Sequence, residues 1–404
     1  MTATMTAPNP TIDEQIAELQ ASIANTPVTK TCFIISSKIL HKHIKSLLSA
    51  VSSNPIVPIL ENILFSVDSD ELLTLRASDL QTNICCELPV EVRGIKPTTK
   101  PVQFCINARR LYKLLSKLPE QPISLAFDGD SKVTICPDSG YYNFFSENPL
   151  DYPKLPTLSE PARFTMAGKV LVDALIKTLP FTCGDDLRPA MTGVYFEGSN
   201  MAATDGHRLI RVQVDGLNTY VSFILPYKAG SVFLKAYGKS DDNVHCEVVK
   251  NNMRLAWANY TLIVRLIDER FPDYQNAIPT NNSMSAVINR QALIRLVSRT
   301  LDFANRFTHL VAFTFSKGKI TVEAEDLDSS EDCTESMAVK YDDYTFQIGF
   351  NGLLMADLLK HVPGSHIQIE MSAPNRACVI YPCDGEPDKK HLSLLMPVML
   401  NTYA

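Results

Sequence analysis

The string most suggestive of chemistry is ATDGHRL, residues 203–209. Asp205 and His207 stand two positions apart, a spacing that on a strand turns both side chains to one face, and together they are half of a Ser-His-Asp hydrolytic set. No GxSxG nucleophile elbow supplies the other half, and Gly206 between them points to a tight turn. A hydrolase using Asp205 and His207 is therefore an alternative and not the leading expectation. The acidic run 323–332 suggests calcium, but it lacks the Gly and the closing Glu of an EF-hand loop, so a solvated hairpin is expected. The eight His form no HExxH, the ten Cys form no CxxC, and Cys85 and Cys86 are the only close pair. Neither a Walker-type phosphate loop nor GxGxxG is present. The expectation is a non-catalytic protein with no metal and no cofactor, its thiols reduced in a cytoplasm.

The 404 residues are 45% hydrophobic and 20% charged, which suits two to four globular domains and excludes disorder or coiled coil as the main organisation. No apolar run approaches the ~18 residues of a membrane span, and no signal peptide is expected. Residues 1–30 read as an extension in which Thr11 and Glu14 suit a capping box ahead of Ile12, Ile16, Leu19 and Ile23 at near-helical spacing. From there the chain repeats in three blocks, 31–158, 159–281 and 282–404. Each runs strand, amphipathic helix, strands, and then repeats that order once. CFIISSKILHKHIKSLLSAVSS, ARFTMAGKVLVDALIKTLP and SAVINRQALIRLVSRTLDFA open the blocks; FCINARRLYKLLSKLP, FILPYKAGSVFLKAYG and QIGFNGLLMADLLKHVP carry the second helices. The expected fold class is α+β: three repeated domains, each with two helices packed on antiparallel sheets. Trp257, in RLAWANYTLIVRL, reads as core.

The net charge of −6 argues against a nucleic-acid binder, but its distribution reverses that conclusion. The candidate helices are 37–50, 107–118, 167–179, 226–238, 289–303 and 351–362. They contain Lys38, Lys42, Lys45, Arg109, Arg110, Lys113, Lys117, Lys169, Lys177, Lys228, Lys235, Arg290, Arg295, Arg299 and Lys360. Their acids are Asp173, Asp302 and Asp357 alone, so the helices net +12 and the remainder −18. Solvated helix faces usually mix signs, so the segregation points to a helical surface facing a polyanion. In the first helix Leu40, Ile44, Leu47, Leu48 and Val51 form the core stripe, with Lys38, Lys42 and Lys45 off it. His41 and His43 on the same helix are assigned to polyanion contact or solvation rather than to metal. The terminal stretch HLSLLMPVMLNTYA cannot run through Pro397 as a central strand, so it seals a core or lines a groove, and Met suits grooves that accept several peptides.

IVPILENILF (56–65), DLRPAMTGVYFE (186–197), ATDGHRL, RFPDY (270–274) and LLMPVML (394–400) carry a resemblance. Through them residues 31–404 resemble the bacterial beta sliding clamp family, the processivity subunit of the replicative DNA polymerase III. The resemblance implies a head-to-tail homodimer of three-domain subunits closed into a ring, with helices lining the hole and sheets outside. It also implies sequence-independent contact with double-stranded DNA, and partners comprising the polymerase subunit, the clamp loader and other proteins with a clamp-binding motif. Location would be cytoplasmic and nucleoid-associated, away from membranes. The DNA-facing residues would be the helical bases named above apart from Lys360. The implied peptide cleft comprises Arg188, Met191, Thr204, Gly206, His207, Arg208, Leu209, Pro272, Asn276, Ala277, Leu394, Leu395, Met396, Pro397, Val398 and Met399. Leu293, Ile294 and Val297 could serve the dimer contact or the core.

The chain departs from the family pattern at residues 1–30, which precede the usual first strand, and at 401–404, which pass the usual last Leu. Asn54 stands where a DNA-contacting Arg is usual, Pro189 and Ala190 where aromatics are, and Asn276 where an Arg is. These mark a divergent member, from an atypical bacterium or a phage. A peptide-binding adaptor that forms no ring is the remaining alternative.

Overall fold

The structure, a computed structural model, describes residues 31–52, 54–94 and 101–400; the 1–30 extension with its capping box, and residues 401–404, lie outside the described residues. Each half-block opens with a strand running directly into a helix. Thr31–Ser36 enters α1 (Ser37–Leu47), Val102–Asn107 enters α2 (Ala108–Leu115) and Ala162–Ala167 enters α3 (Gly168–Thr178). Thr219–Pro226 enters α4 (Tyr227–Tyr237), and after the four-residue α5 (Tyr274–Ala277), Met284–Asn289 enters α6 (Arg290–Leu301) and Phe346–Asn351 enters α7 (Gly352–His361). Where the last strand residue is Asn, it caps the helix. Asn107, Asn289 and Asn351 accept the N–H of Arg110, Ala292 and Leu354 at 3.1, 2.9 and 3.1 Å. The helices end earlier than the sequence pattern suggests. After α1, for example, Ser49 and Ala50 bond three residues back, to Ser46 and Leu47, which tightens the chain into a turn.

The described residues form two compact units. The first takes the chain up to Thr157 together with Arg254–Val264. One of its sheets runs Glu91–Gly94, Thr31–Ser36, Pro122–Phe127, Lys132–Cys136, Tyr142–Phe145. In the other, residues 260–264 pair with Thr82–Pro89, followed by Leu72–Ser78, Asn62–Val67 and Val102–Asn107. Phe104 stacks on Phe65 at 5.0 Å and Phe33 at 6.1 Å in the core between them and α1. Trp257 is buried and stacks on Tyr260 at 5.4 Å. His43 corrects an expectation: it is buried beside Leu40, and its Nδ1 lies 2.6 Å from the Tyr260 hydroxyl. Burial, with the neighbouring Lys42 charge, lowers its pKa to about 4, so it remains neutral and faces no polyanion. His41 is half-buried, stacked on Tyr112 at 5.0 Å.

The second unit contains an eight-stranded antiparallel sheet shared by the second and third blocks. Its order is Thr219–Pro226, Gly193–Gly198, Asn200–Thr204, Arg208–Gln213, His391–Leu395, Cys378–Pro382, His366–Met371, Met284–Asn289. At the seam Leu209 lies opposite Leu394 and Arg208 opposite Leu395. A four-stranded sheet runs Glu331–Ala338, Lys319–Asp326, Leu310–Ser316, Phe346–Asn351, with Val311, Phe313 and Phe315 alternating inward. The acidic run 323–332 is its hairpin, and no described residues group into a metal-holding set. Leu293 and Val297 are fully buried under α6 and so serve the core; Ile294 is half-buried. No described helix is long and apolar enough to cross a membrane.

Candidate functional site

Residues 205–207 form the turn between Asn200–Thr204 and Arg208–Gln213. Gly206 has φ +91°, a backbone conformation that favours glycine, while the one atom a Cβ there would approach is the movable end of Arg188 at 3.0 Å. The Thr204 hydroxyl donates to the Arg208 carbonyl at 2.7 Å and accepts the Gly206 N–H at 3.1 Å. Asp205 Oδ1 accepts the N–H of His207 (2.9 Å) and of Arg208 (2.7 Å), while Oδ2 accepts Arg208 Nε at 3.0 Å. Its carboxylate shapes its own loop instead of orienting the His207 ring, which removes the geometric basis of the hydrolase alternative.

Arg208 ties this turn to the third block. Its side chain is 8% exposed, and Nη1 donates to Asp357 Oδ2 on α7 at 2.6 Å. Nη2 reaches the Pro180 carbonyl at 3.4 Å, and the guanidinium sits over the Phe181 ring at 5.1 Å. One turn along α7, His361 has its pKa lowered by burial, with the Asp357 charge opposing and that of Arg208 adding to the shift. Arg208, expected in the cleft, lies beneath its surface and ties the turn to α7. Asp357 and Phe181, its partners, had no local signal in the sequence.

Beyond Leu395 the chain is laid along the turn. The Met396 N–H donates to the His207 carbonyl at 2.9 Å, and the Val398 N–H to that of Gly349 at 2.8 Å. A Cβ on Gly349 would come within 2.5 Å of the Val398 carbonyl, so the close approach requires glycine there. Arg188 closes another side, Nη1 donating to the Asp205 carbonyl at 3.1 Å. Segments 188–191, 204–209, 271–278 and 394–399 thus meet around one apolar cluster that includes Ala202, Leu209, Phe271, Tyr274 and Leu394, with Ala190 packed on it. Thr204, Leu209, Leu394 and Leu395 are buried beneath the surface of this region. Presented to solvent are Gly206, His207, Arg188, Met396 (43% exposed) and Met399 (66%), with Met191, Pro272, Pro397 and Val398 half-buried. Asn276 and Ala277 are exposed, but Asn276 Nδ2 turns back to Asp273, the cap of α5, at 2.7 Å. Tyr195, stacked on Phe271 at 4.7 Å, was not anticipated; the aromatics of RFPDY were the available signal. A partly exposed apolar strip with backbone and imidazole at its margin suits an extended peptide.

The helical bases divide. Lys38 pairs with Glu120 (2.7 Å), Lys169 with Asp241 (2.6 Å), Lys177 with Asp173 (2.6 Å) and Arg299 with Glu335 (2.7 Å). Arg290 donates to the carbonyls of Gly364 and Leu359 at 2.8 and 2.9 Å, fastening the end of α7. Lys42, Lys45, Arg110, Lys113, Lys117, Lys235 and Arg295 are exposed and have no carboxylate partner among the described residues. Cysteines supply no nucleophile where burial dominates: it pushes Cys86, Cys105, Cys246 and Cys378 up to about 12.

Comparison with known proteins gives a consistent result. The DNA polymerase III beta subunit family matches three consecutive stretches: its N-terminal domain over 31–159, its central domain over 166–273 and its C-terminal domain over 275–398. The beta sliding clamp of Synechocystis sp. is 30% identical over 382 residues, covering 87% of this chain and 95% of that protein. That of Chlamydia muridarum is 28% identical over 384 residues, covering 91% and 99%. The solved DNA polymerase sliding clamps of Pseudomonas aeruginosa and Bacillus subtilis each superpose with a TM-score of 0.84, at 22% and 20% identity. Each covers 92% of this chain and all of its own.

Proposed function

The chain belongs to the beta-subunit family of DNA polymerase III, the beta sliding clamps, and from that premise we propose that it encircles duplex DNA as a ring and tethers the replicative polymerase without catalysing a reaction itself. The observation that carries this conclusion is the match of all three family domains, in order, along one chain. Lys42, Lys45, Arg110, Lys113, Lys117, Lys235 and Arg295 supply the contact with DNA, because their charges are not already satisfied by carboxylates. Contacts to phosphate carry no sequence information and release counterions, so the ring holds DNA without a fixed register and weakens with salt. Lys38, Lys169, Lys177 and Arg299 contribute less, since acids compete for them.

The groove at His207 and Met396–Met399 takes the partner's linear motif, with Met396 and Met399 adapting to its apolar side chains. The clamp loader and other proteins with such a motif use it in turn, in the cytoplasm on the nucleoid. Ring closure needs a head-to-tail homodimer, a heterologous contact repeated until it closes. Two sheet edges suit it. Tyr142–Phe145 ends its sheet with Tyr142 and Phe145 exposed, and Glu331–Ala338 ends the four-stranded sheet. The opposite edge of that sheet, Phe346–Asn351, is bridged by Val398 at Gly349. An open edge is a template for pairing with another chain. Light scattering at micromolar concentration should give the mass of two chains. A single-chain mass at every concentration would contradict the ring and favour the adaptor.

A further inference from the structure

A cavity of about 530 Å³ opens beside the groove, sharing Pro272 with it. At its wall the Glu197 carboxylate is held by three neutral donors: the Tyr195 hydroxyl at 3.3 Å, the Tyr274 hydroxyl at 3.2 Å and Gln275 Nε2 at 3.2 Å. No cation lies within ion-pair distance of Glu197 among the described residues. Three aromatic rings crowd the same wall, with Phe271 parallel to Tyr195 at 4.7 Å and Tyr274 edge-on to Tyr195 at 6.3 Å. The cavity lining as a whole is acidic, with Asp268, Glu269 and Asp273 joining Glu197 against Lys250 and Arg270.

A carboxylate oriented by neutral hydrogen bonds at the wall of an acidic cavity is preorganised for a cation, which gains a charge-assisted hydrogen bond there. Because Pro272 borders groove and cavity alike, a peptide seated in the groove that continues past Pro272 carries its next side chains to this wall. We propose that the cavity is a second subsite that receives a basic side chain, arginine above all, flanking the apolar motif of a partner peptide. This rests on the groove reading given above, and it adds a selectivity element: among peptides with equal apolar anchors, the one with a correctly placed arginine binds tighter and does so in a salt-dependent way.

The test is an arginine scan. A fluorescein-labelled peptide with two apolar anchor residues and alanine on both flanks is the parent, and single-arginine versions cover each flanking position. All are titrated by anisotropy against the full chain and its Glu197→Gln variant, whose fold is checked by thermal melt. At one or two adjacent positions arginine should tighten binding to the unsubstituted protein about fivefold, a gain of the size an ion pair supplies. That gain should vanish in Glu197→Gln, while the parent peptide binds both proteins equally. No gain at any position, or a gain that survives in Glu197→Gln, overturns the subsite. A parent peptide that fails to bind removes the groove reading itself and the subsite with it, whereas parent binding without an arginine effect removes the subsite alone.

Discussion

The groove and the basic helix faces are built by opposite rules. Among the described residues the groove occurs once, from four segments distant in sequence, locked by a buried Arg208 and by main-chain bonds from Met396 and Val398. The cationic surface is spread over repeated helices, where Lys42, Lys45, Arg110, Lys113, Lys117, Lys235 and Arg295 are exposed. A surface that must hold any DNA sequence and let it move gains from many weak, equivalent contacts. A site that must pick out particular partners needs a shaped apolar pocket in which a few residues carry most of the binding. One substitution should therefore cripple the groove, whereas the helices should tolerate single losses.

The largest effect is expected at the lock. Arg208→Ala leaves Asp205 and Asp357 without their shared cation and should lower stability by about 2–4 kcal/mol in urea unfolding, with peptide affinity falling too. A change below about 0.5 kcal/mol would show that the groove does not depend on this tie. Next comes the wall: Met396→Ala with Pro397→Ala should reduce affinity for a polymerase-tail peptide by about tenfold or more, equivalent to ~1.4 kcal/mol. Dimer mass and melting temperature should be kept. Wild-type affinity in a correctly folded double variant would place the partner site elsewhere.

Smaller per residue is the effect on the helices. Lys42→Glu, Lys45→Glu and Lys113→Glu together should weaken DNA retention and reduce the salt slope by about one unit for each phosphate that is no longer neutralised. Replacing the carboxylate-paired Lys38 and Lys169 by alanine should change retention far less. Equal losses from the two sets, read from the same salt titration, would erase the distinction drawn between paired and unpaired bases.

The repeat was legible because its halves share one strand-to-helix step, from Thr31–Ser36 into α1 through to Phe346–Asn351 into α7. The charge split was legible too, but not which bases are neutralised. Lys177 and Asp173 are one helical turn apart, whereas Lys38 and Glu120 lie 82 positions apart and meet only through the fold. His43 could have been found: it lies three positions after Leu40, on the apolar stripe. Leu394 and Leu395 were half legible: their stretch reads as sealing a core or lining a groove, and because every residue of His391–Leu395 is buried, no inward-outward alternation decides between the two. Asp357, 149 positions from Arg208, leaves no trace in the local pattern.

The most direct test of a clamp held on DNA by topology is retention on a nicked circle. Protein loaded onto nicked circular DNA by a clamp loader with ATP should co-elute with the DNA in size exclusion, and a single restriction cut should release it by letting the ring slide off the ends. Retention that is equal on linear and circular DNA, or absent from the circle after loading, would contradict encirclement.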